Sequence, residues 1–174
     1  RMERNKSVLR SEFEKSVGGE GRIKIFDVHG RNIHAIEEII KRHNPGLIIF
    51  DQLWKVRGYE KSAGGDVQRL TAIFAKARDL AHEYAPVIAV HQADGSAAGE
   101  KYIPMESLYM SKTGCQGEAD AIITLGATYE PGLEYNRFIN IPKNKLLGGK
   151  DSKEALRHGK FEVIIKPEIA RFVE

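Results

Sequence analysis

Two short apolar segments, each followed by a polar residue and separated by a helix-like stretch, constrain the fold of this 174-residue chain most strongly. The first is Leu47–Phe50, which ends at Asp51, and the second is Val87–Val90, closely followed by Gln92. Uninterrupted apolar runs of this length are typical of strands covered on both faces of a sheet. Between them, residues 67–84 place apolar side chains at helical spacing. This order predicts two parallel strands joined by a helix.

The remainder of the chain adds helices before this unit and strands after it. Residues 3–17 have the spacing of an amphipathic helix, residues 22–28 indicate a strand, and a second helix is predicted from Asn32 to Asn44. Residues 93–118 lack any period, which is typical of a functional or mobile segment. Alternating segments near the C-terminus predict four strands, at residues 121–125, 138–141, 161–165 and 169–173. We therefore predict one α/β domain over residues 1–174, with a largely parallel sheet and antiparallel strands at its C-terminal edge.

Composition excludes several classes of protein. The chain is 41% hydrophobic and carries 27 Lys and Arg against 24 Asp and Glu, which is ordinary for a globular domain. Its single cysteine, Cys115, cannot form an internal disulfide, and no apolar run approaches the roughly 18 residues of a membrane helix. No charged-then-apolar leader opens the chain. We therefore expect a reducing, cytoplasmic location and no membrane partner. A net charge of +3 is too small to indicate a nucleic-acid partner by itself.

The polar residues that follow the two apolar segments are the first candidates for chemistry, because ligands of parallel sheets bind beyond the carboxyl ends of the strands. Four apolar residues followed by Asp51 match the second nucleotide-binding motif of phosphate-loop NTPases, in which the carboxylate holds magnesium through water. Gln92 could sense a terminal phosphate from the neighbouring strand. The alternative is structural, since Asp often caps a turn after a buried strand and an amide is often satisfied by backbone groups.

The phosphate loop that should precede these elements, GxxxxGK[ST], is absent. The Gly-Lys pairs at 149–150 and 159–160 are followed by Asp151 and Phe161, and neither has the required earlier glycine. Without the backbone amides and the lysine of that loop, this chain should bind nucleotide poorly by itself. Either the function is not nucleotide hydrolysis, or the chain is the second half of a larger core.

Two basic segments could bind a phosphate backbone. The first contains Lys55, Arg57 and Lys61 around the aromatic Tyr59. The second runs from residue 101 to 114, where small residues would let the backbone approach phosphate. Both follow strands that end in candidate chemistry, so DNA contact and nucleotide state could be coupled over a short path. The alternative is that both are solvated loops.

Five segments occur in the order seen in one family. The chain resembles the RecA-type motor domain of DnaB-like replicative DNA helicases, particularly phage versions, over nearly its whole length. The matching segments are Met2-Glu3 before a helix, Leu47–Asp51, Val87–Gln92, Ser111–Asp120 followed by Ala-Ile-Ile, and Ile141–Lys145 followed by Gly148-Gly149.

The resemblance implies a RecA-like three-layer sandwich that lacks its phosphate-loop unit, and an ATP-dependent DNA helicase that uses Mg²⁺. It implies that Glu3 activates water, Asp51 positions magnesium and Gln92 senses the terminal phosphate. Lys143 and Lys145 would reach the nucleotide of the neighbouring subunit in a hexameric ring. Lys145 stands where the family usually has an arginine, and it offers a point charge instead of a planar fork. DNA contacts are implied for Ser111, Lys112, Thr113 and Gly114, and the implied partners are single-stranded DNA and a primase or helicase loader.

Two other interpretations stay open. A RecA-like recombinase or a circadian-clock-type ATPase would share the sheet and its crevice, but not the segment at 111–120. A non-catalytic module for single-strand binding or assembly would keep the fold without the phosphate loop.

Overall fold

The computed structural model describes residues 2–59, 65–108, 114–146 and 157–173, with side chains from residue 5 onward. The chain forms two compact units, residues 1–30 and residues 31–174. A single domain over the whole chain stays a prediction. None of the described helices is both long and apolar enough to cross a membrane.

The first unit contains helix α1, Met2–Ser16, which confirms the helix predicted near the N-terminus. The amide of Gly19 donates a 2.7 Å hydrogen bond to the carbonyl of Glu14, and Gly19 adopts a φ of 131° that favours glycine at this helix end. The strand predicted over residues 22–28 is wrong, because this segment is irregular and Ile25 is 90% exposed. A strand needs a second strand for its backbone hydrogen bonds, and the described part of this unit contains none.

The second unit begins with helix α2, Ile33–His43, as the apolar spacing predicts. The Asn32 side chain accepts a 3.0 Å hydrogen bond from the amide of Ala35 and so satisfies one of the free amides of the first turn. At the other end, Asn44 adopts a left-handed φ of 41° and donates its amide to the carbonyl of Ile40.

A parallel strand pair follows, with a long helix between its strands. Strand β1 is Ile48–Phe50, helix α3 is Gly65–Glu83 and strand β2 is Val87–Ala89. Ile48 pairs with Val87 and Phe50 with Ala89 in parallel register, which confirms the predicted strand, helix, strand order. The largest fully buried side chains are Leu53, Ile73 and Leu80.

Only one face of this strand pair is covered. Ile48 and Phe50 are buried, whereas Ile49 is 61% exposed and Ile88 is 51% exposed. The expectation that both faces are covered is therefore wrong for this chain. An apolar run shows that a strand can be buried on both faces, but the cover must come from other elements, and the described elements leave this face open.

The segment predicted to lack structure, residues 93–118, is ordered by short helices and tertiary hydrogen bonds. It contains two 3₁₀ turns, Gly95–Ala97 and Met105–Ser107, and helix α4, Gly114–Glu118. The carbonyl of Ile103 accepts hydrogen bonds from the buried side chains of Thr124 (2.7 Å) and Asn140 (3.0 Å). These contacts replace the regular pattern that the sequence lacks, so the expectation of a structureless segment is wrong for its described residues.

Four antiparallel strands complete the fold in the order in which they occur along the chain. They pair as β3-β4-β5-β6 and are Ala121–Gly126, Asn136–Asn144, Lys160–Lys166 and Arg171–Val173. An irregularity between Ile122 and Thr124 shifts the register with β4. The α/β class, with parallel strands first and antiparallel strands toward the C-terminus, is confirmed. In the described residues the parallel pair and the antiparallel strands form two separate sheets.

Candidate nucleotide and DNA sites

The carboxyl ends of β1 and β2 bring two predicted residues to the same edge of a sheet. Phe50 and Ala89 are paired, so Asp51 and Gln92 follow neighbouring strand ends. Both side chains are exposed. The edge therefore presents a carboxylate and an amide to solvent at the place where ligands of parallel sheets bind.

The backbone before Gln92 is packed against the long helix. The His91 ring lies edge-on to Phe74 of α3, with 5.5 Å between ring centroids. This contact fixes the end of β2 and leaves the next side chain, Gln92, directed to solvent.

The turn after Asp51 is organised by residues to which the sequence analysis gave no role. The Trp54 indole donates a 3.1 Å hydrogen bond to the side-chain oxygen of Gln52. The Arg69 guanidinium, on the first turns of α3, donates to the carbonyl of Trp54 at 2.9 Å and 3.4 Å. Lys55 lies 5.5 Å from the centre of the Trp54 ring. A single arginine near the start of a helix gives no sequence signal for such a contact, so only the structure reveals it.

The first basic segment is anchored on its inner side and presents cations on its outer side. Val56 is buried, and the carbonyl of Arg57 accepts a 3.0 Å hydrogen bond from the amide of Ile33 at the start of α2. The side chains of Lys55 and Arg57 are exposed. Lys61 lies outside the described residues.

The second DNA-binding segment is described only at its end. Ser111, Lys112 and Thr113 lie outside the described residues, and Gly114 begins α4. A Cβ atom at Gly114 would overlap the Thr71 hydroxyl of α3, so the backbone of α4 lies directly on α3. Only glycine allows this approach.

Lys143 and Lys145 lie at the end of β4, beside the start of β3. The Lys143 ammonium donates a hydrogen bond to the carbonyl of Gln116 in α4, and the amide of Lys145 donates a 2.7 Å bond to the carbonyl of Asp120. Burial lowers the pKa of Lys143, and the positive charge of Lys145 lowers it further, while Asp120 acts in the opposite direction. The Lys145 side chain is exposed. Two cations therefore lie close together, one half-buried and one in solvent.

Burial also raises the pKa of the neighbouring thiol. Cys115 in α4 is buried, and its pKa is raised to about 11, with the charge of Lys143 acting in the opposite direction. Because the thiolate is the reactive form of cysteine, Cys115 has the character of a packing residue.

Glu3 belongs to α1 of the first unit, where the backbone is already helical. The family segment that it resembles instead has a glutamate at the end of a strand. Its role as the residue that activates water stays a prediction.

The residues present fit a magnesium ion held mainly by water and nucleotide. In the described ranges, no three His, Cys, Asp or Glu side chains come together as a metal site. Magnesium commonly keeps several waters and uses one or two carboxylates together with substrate phosphates. The exposed carboxylate of Asp51 suits that kind of binding.

Comparison with solved structures assigns the fold. The sequence matches no protein-family model and no curated protein. The ATPase domain of a phage DnaB-like helicase superposes with a TM-score of 0.63 at 20% identity, over 82% of this chain and 50% of that chain. A DnaB-like replicative helicase, solved in a study of its interactions with primase, superposes with a TM-score of 0.65 at 19% identity, over 87% of this chain and 37% of that chain.

This chain thus spans half or less of the length of the structures that it matches. The matches agree with the fold expected from the order of the five sequence segments. The chain has the RecA-like fold of DnaB-like helicase ATPase domains.

Proposed function

We propose that this chain forms part of the motor core of an ATP-dependent replicative DNA helicase, which couples ATP hydrolysis to movement along single-stranded DNA and to duplex unwinding. The observation that carries the proposal is the pair Asp51 and Gln92, both exposed at the carboxyl ends of adjacent parallel strands. The DnaB-like fold supports it, because ligands of parallel α/β sheets bind at this edge.

In this proposal each site residue has a separate task. Asp51 positions Mg²⁺ through its water shell, Gln92 senses the terminal phosphate and Glu3 activates the attacking water. Lys145 brings positive charge to the nucleotide of the neighbouring subunit, with Lys143 beside it. ATP and Mg²⁺ are bound when a phosphate loop is also present, so this chain alone should hydrolyse ATP negligibly.

The DNA is held by the two basic segments. Lys55, Arg57 and Lys61 form one set of contacts, and Ser111, Lys112, Thr113 and Gly114 form the other. Cations and backbone amides on phosphate give binding with little sequence preference, which a motor that moves along a strand requires.

The proposed assembly is a homo-hexameric ring, because Lys145 needs a neighbouring nucleotide on which to act. A primase or a helicase loader is the proposed protein partner, by analogy with the DnaB-like helicase studied with primase. The proposed location is the cytoplasm, which for a phage protein is that of the bacterial host.

The decisive experiment replaces the carboxylate at the strand end. In the helicase that carries this chain, Asp51→Asn keeps the size of the side chain but removes its charge. We expect ATP hydrolysis to fall about 100-fold or more, as when one group that stabilises a charged transition state is lost. Binding to oligo-dT, measured by fluorescence anisotropy, should persist.

The matched control is Asp66→Asn, which makes the same change at an exposed position in the first turn of α3. It should leave hydrolysis unchanged. Equal hydrolysis by the Asp51→Asn variant and the unmodified protein would contradict the magnesium role. Retained DNA binding without any ATP hydrolysis in the unmodified protein would instead favour a non-catalytic single-strand-binding module.

A further inference from the structure

The half-buried lysine at the end of β4 makes a contact with the element that follows the second DNA-binding segment. The Lys143 ammonium donates a hydrogen bond to the backbone carbonyl of Gln116. Gln116 lies in α4, a helix of only five residues, so its last carbonyls have few partners within the helix. The lysine supplies a donor to one of them.

The strand register explains how these two groups meet. Lys143 pairs with Ile122, and Asn144 pairs with Ala121, at the first residues of β3. The end of β4 therefore lies beside the start of β3, which only two residues separate from α4. From this position the long lysine side chain reaches back to α4.

Further contacts hold α4 as a unit. The Gln116 side chain donates a 3.0 Å hydrogen bond to the carbonyl of Met105, and Arg78 of α3 donates to the carbonyl of Glu118 at 2.5 Å. Gly114 lies directly on α3 at Thr71. A displacement at Gly114 should therefore move the short helix as a whole, including the carbonyl that Lys143 contacts.

The second lysine is placed by the same strand end. The amide of Lys145 bonds to the carbonyl of Asp120, and its side chain is exposed. The lowered pKa of Lys143 reflects burial first and the nearby charge of Lys145 second, so the two ammonium groups are neighbours. A movement of the Lys143 side chain changes the electrostatic environment of Lys145.

We propose that Lys143 is a positioning residue that couples the DNA-binding segment at residues 111–114 to Lys145, through its hydrogen bond to the carbonyl of Gln116. This inference rests on the proposed function, because it takes residues 111–114 as a DNA contact and Lys145 as the cation for the neighbouring nucleotide. DNA bound at the start of α4 shifts the helix, and Lys143 passes that shift to Lys145.

The test follows the lysine signals by NMR while DNA is added to the chain. Lysines are labelled with ¹³C at Cε, and a dT oligomer of about 16 nucleotides serves as the probe. In the unmodified chain, DNA should shift the signals of both Lys143 and Lys145. In Lys143→Met, which keeps an unbranched chain but removes the donor, the shift of Lys145 should be lost while DNA still binds. Lys143→Arg, which restores a charged donor, should recover it.

Two controls separate coupling from loss of structure. Lys166→Met makes the same change at an exposed position at the end of β5 and should leave the Lys145 response intact. The backbone amide signals of α4 report whether the Lys143 variants keep the helix. A merely structural role for Lys143 would leave the DNA-induced shift of Lys145 unchanged in any variant that keeps α4.

The outcomes distinguish this inference from the proposed function. If DNA binds and Lys145 responds equally in the unmodified chain and in Lys143→Met, the coupling is refuted and the helicase proposal stands. Loss of the Lys145 response in both Lys143→Met and Lys143→Arg, with α4 retained, also refutes coupling through the donor. If the unmodified chain binds no dT oligomer, the DNA-binding assignment fails, and the coupling fails with it.

Discussion

The backbone amide of Val90 donates a 2.9 Å hydrogen bond to the carbonyl of Phe50, the last residue of β1. This bond continues the parallel pairing beyond Ala89, so the two chains are still side by side where Asp51 begins. The acid and the amide of Gln92 therefore leave the sheet from neighbouring positions. Each of the nucleotide-site predictions below depends on that arrangement.

Replacing Gln92 by alanine tests the amide. If Gln92 senses the terminal phosphate, Gln92→Ala should lower DNA-stimulated ATP hydrolysis by about 10-fold or more, because a polar group near the transition state is lost. Steady-state hydrolysis with and without oligo-dT gives the measurement. Gln68→Ala, at an exposed position of α3, is the control. Undiminished stimulation by DNA in the Gln92→Ala variant would argue against a sensing role.

Lys145 should act on the site of a neighbouring subunit. Rings made only of Lys145→Ala subunits, or only of Asp51→Asn subunits, should hydrolyse ATP poorly. A random one-to-one mixture should recover activity, because roughly one quarter of its head-to-tail interfaces combine an intact Asp51 with an intact Lys145. The measurement is hydrolysis as a function of mixing ratio. A mixture no more active than its parents would show that Lys145 does not act in trans.

Lys112 should contact phosphate. Lys112→Ala should weaken binding to single-stranded DNA and reduce the slope of log affinity against log salt by about 1, since one counterion-releasing contact is removed. Anisotropy titrations over a range of salt concentrations give the slope. Lys166→Ala removes the same charge at an exposed site on β5 and should not change it. An identical slope for Lys112→Ala would exclude this contact.

Gly126 should tolerate no side chain. A Cβ atom there would overlap the carbonyl of Lys101 and lie 2.5 Å from that of Glu100. Gly126→Ala should therefore lower the free energy of unfolding by about 1–3 kcal/mol, the usual cost of overpacking. Gly117→Ala is the matched control, because nothing lies within 4 Å of its Cβ position in α4 and alanine favours the helix. Urea unfolding measures both, and equal stability of the two variants would contradict the steric argument.

Glu37 should stabilise the fold only above acid pH. Its carboxylate lies 3.0 Å from the Lys76 ammonium and accepts a 3.1 Å hydrogen bond from the Tyr84 hydroxyl, which joins α2 to the end of α3. The bond with Lys76 is the main cause of the lowered pKa of Glu37. A lowered pKa adds stability above the unfolded value of about 4.3 and loses it as pH falls through the folded value.

Glu37→Gln should accordingly lower the free energy of unfolding by about 1 kcal/mol at pH 7. The difference from the unmodified chain should shrink as pH falls below about 4. Glu38→Gln, next along α2 but 68% exposed, should change little at either pH. Thermal unfolding across this pH range is the measurement. A pH-independent difference would show that packing, and not charge, explains the effect of Glu37→Gln.

Local signals were sufficient for much of the fold. The apolar spacing of α2, with Asn32 before it and Asn44 after it, contains its own start and stop signals. The positions of Asp51 and Gln92 followed from parallel pairing, since the carboxyl ends of parallel strands share one edge. In both cases the determining information lies within a few residues of the element.

Other features depend on partners distant in the sequence, and there the sequence was insufficient. The alternation at residues 22–28 suits a strand, but no pattern within it shows whether another strand is available. The open face at Ile49 and Ile88 has the same origin. The bond from Lys143 to Gln116 depends on the register of β4 with β3, which includes an irregularity between Ile122 and Thr124.

The anchoring of residues 93–108 bears on how the two candidate sites communicate. This stretch leads from the end of β2 toward the second DNA-binding segment, and both its 3₁₀ turns and the carbonyl of Ile103 hold it in place. A tethered chain of this kind has little slack to absorb a displacement at one end. A change at Gln92 is therefore carried along the backbone toward α4 instead of being dissipated in a loose loop.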